Sequence, residues 1–277
     1  MSGLEAAYAR AAALIEAADG LLVTAGAGMG IDSGLPDFRG PGGFWGVYPA
    51  LGRAGLRFEA VANPRAFEEW PELAWGFYGH RLRLYRETAP HPGFALLRRL
   101  GEGLPQGCFV FTSNVDGHFQ KAGFTPGQVC EVHGSIHHLQ CIRGCRGAIW
   151  SAADFYPAVD EAACRLVNEP PSCPHCGGLA RPNILMFGDG GWLENRQEAQ
   201  MEALRQWREG VGRLVVIELG AGMAIPTVRY LGESSGGALI RINPDEAGLN
   251  GGRGVSLPVG ALAGVRGIIQ ALGWPET

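Results

Sequence analysis

Five short apolar runs, at residues 21–24, 108–112, 128–132, 214–219 and 238–242, each stop at a cluster of small or polar residues. Residues 26–39 follow the first run, 113–118 the second, 133–134 the third, 220–222 the fourth and 243–245 the fifth. Helical patterns separate them, at 4–18, across most of 44–95, at 93–100 and 193–210, in a short piece after 226, and near 260–272. Strands alternating with helices predict an α/β fold with a parallel sheet covered on both faces. In such sheets ligands collect at the carboxyl ends of the strands. Five motifs at five strand ends therefore converge on one site, a coincidence that constrains the chain more than any single motif.

The 277 residues allow one large domain, or one with a smaller insert. Hydrophobic residues make up 46%, enough for a sizeable core, and the 44 glycines show no collagen-like period. A net charge of −4 without a basic block argues against nucleic acid as a main partner. No apolar span of about 20 residues and no basic-then-apolar leader is visible, so a membrane is not expected. The expected setting is intracellular and cytoplasmic. The helical stretch at 44–95 carries an apolar stripe with Trp70, Leu73, Phe77 and Leu84, and the pattern is interrupted by Pro64, Pro71 and Pro90.

The glycine loop Gly26-Ala27-Gly28 follows a strand and opens like a dinucleotide fingerprint. Missing side chains let backbone N–H groups approach a pyrophosphate. The same turn also serves many strand–helix connections without a ligand. Asp37, Phe38 and Arg39 stand side by side further along. Arg39 could offer a bidentate charge to phosphate or pair with Asp37. Phe38 could anchor the loop or cover a reactive sugar.

Seven cysteines is an odd number, which does not suit a secreted disulfide framework. Cys108, Cys130 and Cys164 are scattered. Cys141 and Cys145, then Cys173 and Cys176, form two close pairs in Pro/Gly-rich turns, the spacing of a structural zinc site. Four thiolates leave no open coordination position, so the expected metal is structural.

"TSNVDG" sets Asn114 and Asp116 just past one strand, and "EVHG" sets His133 past another. A histidine at a strand end beside glycine is a general-base candidate, although a lone histidine is more often structural. Asn and Asp before glycine are also ordinary turn residues.

At this point the chain resembles the sirtuin family, in a divergent bacterial-type form, along nearly its whole length. "GAG" and "SGLPDFRG" resemble the family's NAD loop, "TSNVDGHFQKAG" its TQNIDxLHxxAG segment, and "EVHGS" its catalytic HG segment. "RPNILMFGD" resembles RPxVVxFGE, "LGAG" stands at the GTS position and "INPD" at the INxE position. The resemblance implies a Rossmann-like core at about 4–43, 96–136 and 183–277, a helical insert at about 44–95 and a zinc module at about 137–182. It implies an NAD-dependent protein-lysine deacylase that takes an acyl-lysine peptide and yields nicotinamide and O-acyl-ADP-ribose. His133 would be the base, Asn114 would order ribose and water, and Asp116 would hold the nicotinamide carboxamide. Gly26, Ala27, Gly28 and Arg39 would take phosphates, and Phe38 would shield the reacting sugar. Asp37, Ser113, Val115, Gly220 and Ala221 would complete the cofactor site, and Asn243 would hold the adenosine ribose. Phe187 and Gly188 would meet the substrate.

The sequence departs from that pattern at Gly30 for serine, Ser113 for glutamine, Ala221-Gly222 for Thr-Ser, and Asp189 for glutamate. Several polar contacts near NAD are then lost or shortened. ADP-ribosyl transfer, NAD hydrolysis, or a nucleotide-binding scaffold are the alternative outcomes. Tyr78 and Arg81, three apart in "WGFYGHRL", resemble the pair in sirtuins that remove acidic acyl groups such as succinyl or malonyl. The alternative is a Tyr78 packed on the apolar stripe and a solvated Arg81.

Overall fold

The computed structural model describes residues 3–36, 43–53, 55–249 and 254–275, with only the backbone of 44 and 45. Along the chain run β1 (Gly20–Ala25), β2 (Cys108–Thr112), β3 (Val129–Glu131), β4 (Gly134–Cys141), β5 (Ile149–Ser151), β6 (Val159–Asp160), β7 (Arg165–Leu166), β8 (Ala180–Ile184), β9 (Leu214–Leu219), β10 (Ala238–Ile242) and β11 (Gly254–Leu257). Runs such as Leu-Val-Val-Ile in β9 do not alternate with polar residues, so both faces must be covered. Every residue of β1, β2 and β9 is buried. Six strands form one sheet in the order β11-β10-β9-β1-β2-β3, all neighbours parallel. The chain runs outward from β1 in one direction to β3, then restarts on the other side with β9. The gap between β1 and β9 is therefore the switch point where open sheets bind ligands.

Helices Gly3–Glu16, Pro92–Glu102 and Ala261–Ala271 bury Ile15, Leu97 and Ile268 on one face of the sheet. Helices Asn195–Glu209 and Thr227–Ser234 bury Leu204 and Val228 on the other. Under the second face Arg241 of β10 sits opposite Glu218 of β9. The Arg241 Nε bonds Glu218 Oε1 at 2.6 Å and its Nη2 bonds Glu233 Oε1 at 2.6 Å. Both side chains of the Arg241–Glu218 pair are 1% exposed. Removing one partner would strand a buried charge, which costs several kcal/mol, on the order of 3–5.

Between β1 and β2 the chain is mostly helical, as expected. Pro64 and Pro71 do not interrupt that stretch. They open helices Pro64–Glu69 and Pro71–Glu87, at the first position, where a missing N–H costs nothing. Residues 137–182, which show little periodicity, contain strands that the pattern did not reveal: β4 pairs antiparallel with β5 and β8, and β6 with β7. Their buried residues are partly polar and satisfy one another, as where Asn183 Nδ2 donates to Gln140 Oε1 at 2.9 Å. The helical segment and the cysteine-rich segment share one core: Trp75 donates to the Ala180 carbonyl at 3.0 Å, and a Cβ on Gly76 would lie 2.2 Å from the Cys164 carbonyl oxygen. Among the described residues no helix is long and apolar enough to cross a membrane.

Candidate active site

All five motifs do follow strand ends, those of β1, β2, β3, β9 and β10. A cavity of about 290 Å³ opens there, and His133, Asn114, Val115, Asp116, Ser113 and Ala27 line it together with Tyr78, Arg81 and Phe187. His133 stands just past β3. The next residue, Gly134, has φ of +79°, and a Cβ on it would lie 2.1 Å from the Asn183 carbonyl oxygen. Only glycine lets β8 come this close, and the approach fixes His133 through the bond from Leu185 N to its carbonyl at 3.0 Å.

Asn114 is held from two sides. Its backbone N–H donates to Thr112 Oγ1 at 3.0 Å, and its Nδ2 donates to the Gly26 carbonyl at 2.9 Å. Asp116 Oδ1 accepts the His118 amide at 2.8 Å, which leaves Oδ2 without a donor among the described residues. Burial raises the Asp116 pKa, against the lowering effects of that amide and of His137. His137 Nε2 bonds the Asp116 carbonyl at 2.8 Å and so anchors the loop from behind.

The glycines of the first loop have a task that sequence did not show. Gly26 N donates to the Leu219 carbonyl at 2.9 Å and Gly28 N to the Gly220 carbonyl at 3.0 Å. These two N–H groups are thus engaged with the neighbouring loop. What the missing side chains permit is contact between two loops. A Cβ on Gly28 would lie 2.7 Å from Gly220 Cα, and one on Gly220 would lie 2.4 Å from Gly28 Cα. Gly220 also has φ of +57°.

Beyond Gly220, the Ala221 carbonyl accepts Arg229 Nε at 2.9 Å and Asn243 Nδ2 at 3.2 Å. Asn243 Oδ1 accepts the amides of Asp245 and Glu246, so this side chain joins its own loop to that of Ala221. Arg229 Nη2 donates to the Glu246 carbonyl at 2.6 Å, and Glu246 Oε2 accepts the Met223 amide at 3.0 Å. This brace shapes the loop where the resemblance expects Thr-Ser. Gly30, where serine is expected, is buried, and a Cβ there would meet Leu35 Cδ1 at 3.0 Å.

Asp189 is not a shortened cofactor contact. Its oxygens each take an Arg181 nitrogen at 2.8 Å, both side chains are at most 1% exposed, and the pair locks the turn after β8. Phe187 lies in that turn, ring to ring with Phe58 at 5.8 Å. Gly188, at φ +65°, lies outside the cavity lining. Asp37, Phe38 and Arg39 lie outside the described residues.

Tyr78 is buried and stacks on Phe67 at 5.5 Å, yet it also lines the cavity. Arg81 is not simply solvated. Its guanidinium lies over Phe77 at 5.2 Å and over Tyr85 at 5.3 Å. Sequence reasoning missed Tyr85, Phe58, Leu35 and Ile225 in the lining. Tyr85 falls on the Tyr78 face one turn beyond Arg81, a spacing that could have marked it.

The sulfur atoms of Cys141, Cys145, Cys173 and Cys176 all lie within 4.8 Å of one another. That is the donor set and span of a tetrahedral zinc–thiolate centre. Arg143 Nη2 donates to Cys176 Sγ at 3.2 Å, a second contact that favours a thiolate.

A family model described as the Sir2 family matches residues 26–216. The chain belongs to the Sir2 family. An NAD-dependent protein deacylase of Thermococcus kodakarensis is 31% identical over 242 residues, 86% of this chain and 85% of the relative. One of Pyrococcus furiosus is 32% identical over 219 residues, 79% of each. A Sir2 homologue solved with NAD aligns with a TM-score of 0.70 at 26% identity, covering 95% of this chain and 94% of its own. A mutant Sir2 homologue solved with ADP-ribose aligns at 0.71 and 26%, covering 96% and 98%. The Sir2 fold, with its parallel sheet and four-cysteine module, accounts for the architecture and for the position of the cavity.

Proposed function

We propose that this Sir2 protein is an NAD-dependent protein-lysine deacylase whose pocket favours acyl groups that end in a carboxylate. The deacylase assignment follows from family membership, from relatives with that activity and from His133 standing in the cavity with Asn114 and Asp116. The observation that carries the finer reading is that Tyr78 and Arg81 line the same cavity as His133. A terminal carboxylate entering there must shed water, and a guanidinium with a phenol replaces that hydration.

The residues fit NAD at one point the structure shows: Asp116 Oδ2 is a carboxylate acceptor with no protein donor among the described residues, as a carboxamide N–H requires. NAD, when bound, supplies an activated bond to nicotinamide and the sugar hydroxyl that receives the acyl group. Asn114, pinned to the glycine loop, orients the ribose. His133 takes the proton from the attacking hydroxyl. Apolar Ile184, Met186 and Phe187 exclude water around the acyl-lysine stem. The thiolate cluster and two buried thiols, Cys108 and Cys130, support a reducing, cytoplasmic setting. A net charge of −4 supports a peptide rather than a nucleic-acid partner.

Mass spectrometry of products from NAD with acetyl-, malonyl- and succinyl-peptides tests this. O-acyl-ADP-ribose and free lysine are expected, with the acidic peptides preferred, and His133→Ala is expected to slow turnover by about 10²–10⁴. Labelled protein, or ADP-ribose without deacylated peptide, would replace deacylation with ADP-ribosyl transfer or NAD hydrolysis.

A further inference from the structure

Helix Pro71–Glu87 presents Tyr78, Arg81 and Tyr85 to the cavity at spacings of three and four. Arg81 Nε donates to Tyr85 Oη at 3.0 Å, and Arg81 Nη2 donates to the same oxygen at 2.7 Å. A phenol oxygen has two acceptor positions and one proton to give. Arg81 fills both acceptor positions. The Tyr85 proton has no acceptor among the described residues, and Tyr85 is only 4% exposed. A buried donor that goes unmade is costly, and Tyr85 lines the cavity, so an acceptor entering there would match it.

We infer that Tyr85 is a third, donating member of the acyl pocket, whose phenol proton is offered to the terminal carboxylate of an acidic acyl group. This rests on the acidic-acyl reading above. Two features separate Tyr85 from an ordinary packing tyrosine. Its ring lies beneath the guanidinium, 5.3 Å from Arg81 Cζ, so it sets where that charge stands. Its carbonyl is tied by Lys121 Nζ at 3.2 Å, so the end of the helix that carries it is anchored to the loop of Asn114 and Asp116. An acetyl group has no terminal acceptor to offer and would leave the proton unmatched. A succinyl or malonyl group brings two carboxylate oxygens.

The test is a double-mutant cycle on one peptide carrying either a succinyl or an acetyl group, with wild type, Tyr85→Phe, Arg81→Met and the double variant. Phenylalanine keeps the ring under the guanidinium, and melting curves report any loss of fold. Tyr85→Phe is expected to lower the succinyl-to-acetyl ratio of kcat/KM about ten- to hundredfold, through KM. It should lower succinyl turnover further in the Arg81→Met background. If the ratio survives Tyr85→Phe while Arg81→Met collapses it, Tyr85 has no part in selection and the acidic-acyl reading stands. If the Tyr85 effect vanishes once Arg81 is gone, Tyr85 only holds the guanidinium and the donor assignment is wrong. A wild type that prefers acetyl, with a ratio indifferent to Arg81→Met, removes both.

Discussion

The two halves of the cleft are made of different material. The half proposed to hold the nucleotide is backbone against backbone: Gly26 and Gly28 lie on Gly220, and carbonyls and amides join the loops directly. The half proposed to hold the acyl group is side chains on one helix, with Tyr78, Arg81 and Tyr85 packed ring to charge. Substitution therefore means different things in each half. Replacing serine by Gly30, or Thr-Ser by Ala221-Gly222, removes hydroxyls from a surface whose shape is carried by glycine conformation and by the Arg229–Glu246 brace. On the helix proposed to meet the acyl group, replacing one side chain is expected to change which substrate is preferred.

The largest effect should come from breaking the cradle. Gly220→Ala forces a Cβ to within 2.4 Å of the Gly28 backbone at a positive φ. A loss on the order of 3–5 kcal/mol in unfolding free energy is expected by denaturant titration, with weakened NAD binding in whatever folds. Near-wild-type stability would mean that the two loops are free to separate.

Next comes acid sensitivity, which should belong to the nucleotide half. His118 is fully buried under the Asp116 loop, against Phe94 at 5.7 Å, and burial lowers its pKa from 6.5 to about 4. The unfolded chain protonates this ring below about 6.5 and the folded chain does not. Its contribution is therefore complete above pH 6.5 and is lost as pH falls toward 4, by about 3 kcal/mol. His118→Leu should flatten that part of the stability–pH curve. His138, also lowered to about 4, leaves a residual slope. An unchanged curve would show that His118 is not buried as described.

A smaller effect sharpens the brace. Arg229→Met is expected to raise the KM for NAD about tenfold, close to 1.4 kcal/mol, more than it changes kcat, with Arg229→Lys recovering part of it. Equal falls in kcat and kcat/KM would instead place Arg229 in the chemistry. The smallest effect lies between the halves. Lys121 Nζ donates to the carbonyls of Tyr85, Arg86 and Thr88, closing the acyl helix from the nucleotide loop. Lys121→Met should cost about 1 kcal/mol by urea midpoint; no loss would make the two halves mechanically independent.

The parts legible in the sequence were those written in local pattern. β2, β9 and β10 are mostly apolar runs, broken in β9 by Glu218 and in β10 by Arg241, and were found to the residue. β11 is four residues, Gly254–Leu257, and too short to carry a period. β4 and β8 hid because Gln140, Arg181 and Asn183 are buried polar residues that pair only in three dimensions. The strand-end rule brought His133, Asn114 and Asp116 together correctly, and helix spacing placed Tyr78 with Arg81. It could not say which N–H groups were already engaged within the protein, as those of Gly26 and Gly28 are. Arg229 acts through bonds formed by folding, and no motif marks it, whereas Tyr85 carries only a helical spacing that gains meaning once its bond to Arg81 is seen.

Lys121 is also the single lysine among 277 residues; the other basic side chains are arginines and histidines. Reactive acyl thioesters and acyl phosphates attack free amines, and an ammonium that donates three hydrogen bonds has no lone pair to offer. An enzyme that strips acyl marks from lysine thus carries almost no place for such marks to settle. Treated with an excess of acyl donor, it should keep its activity while lysine-rich proteins around it accumulate the modification it removes.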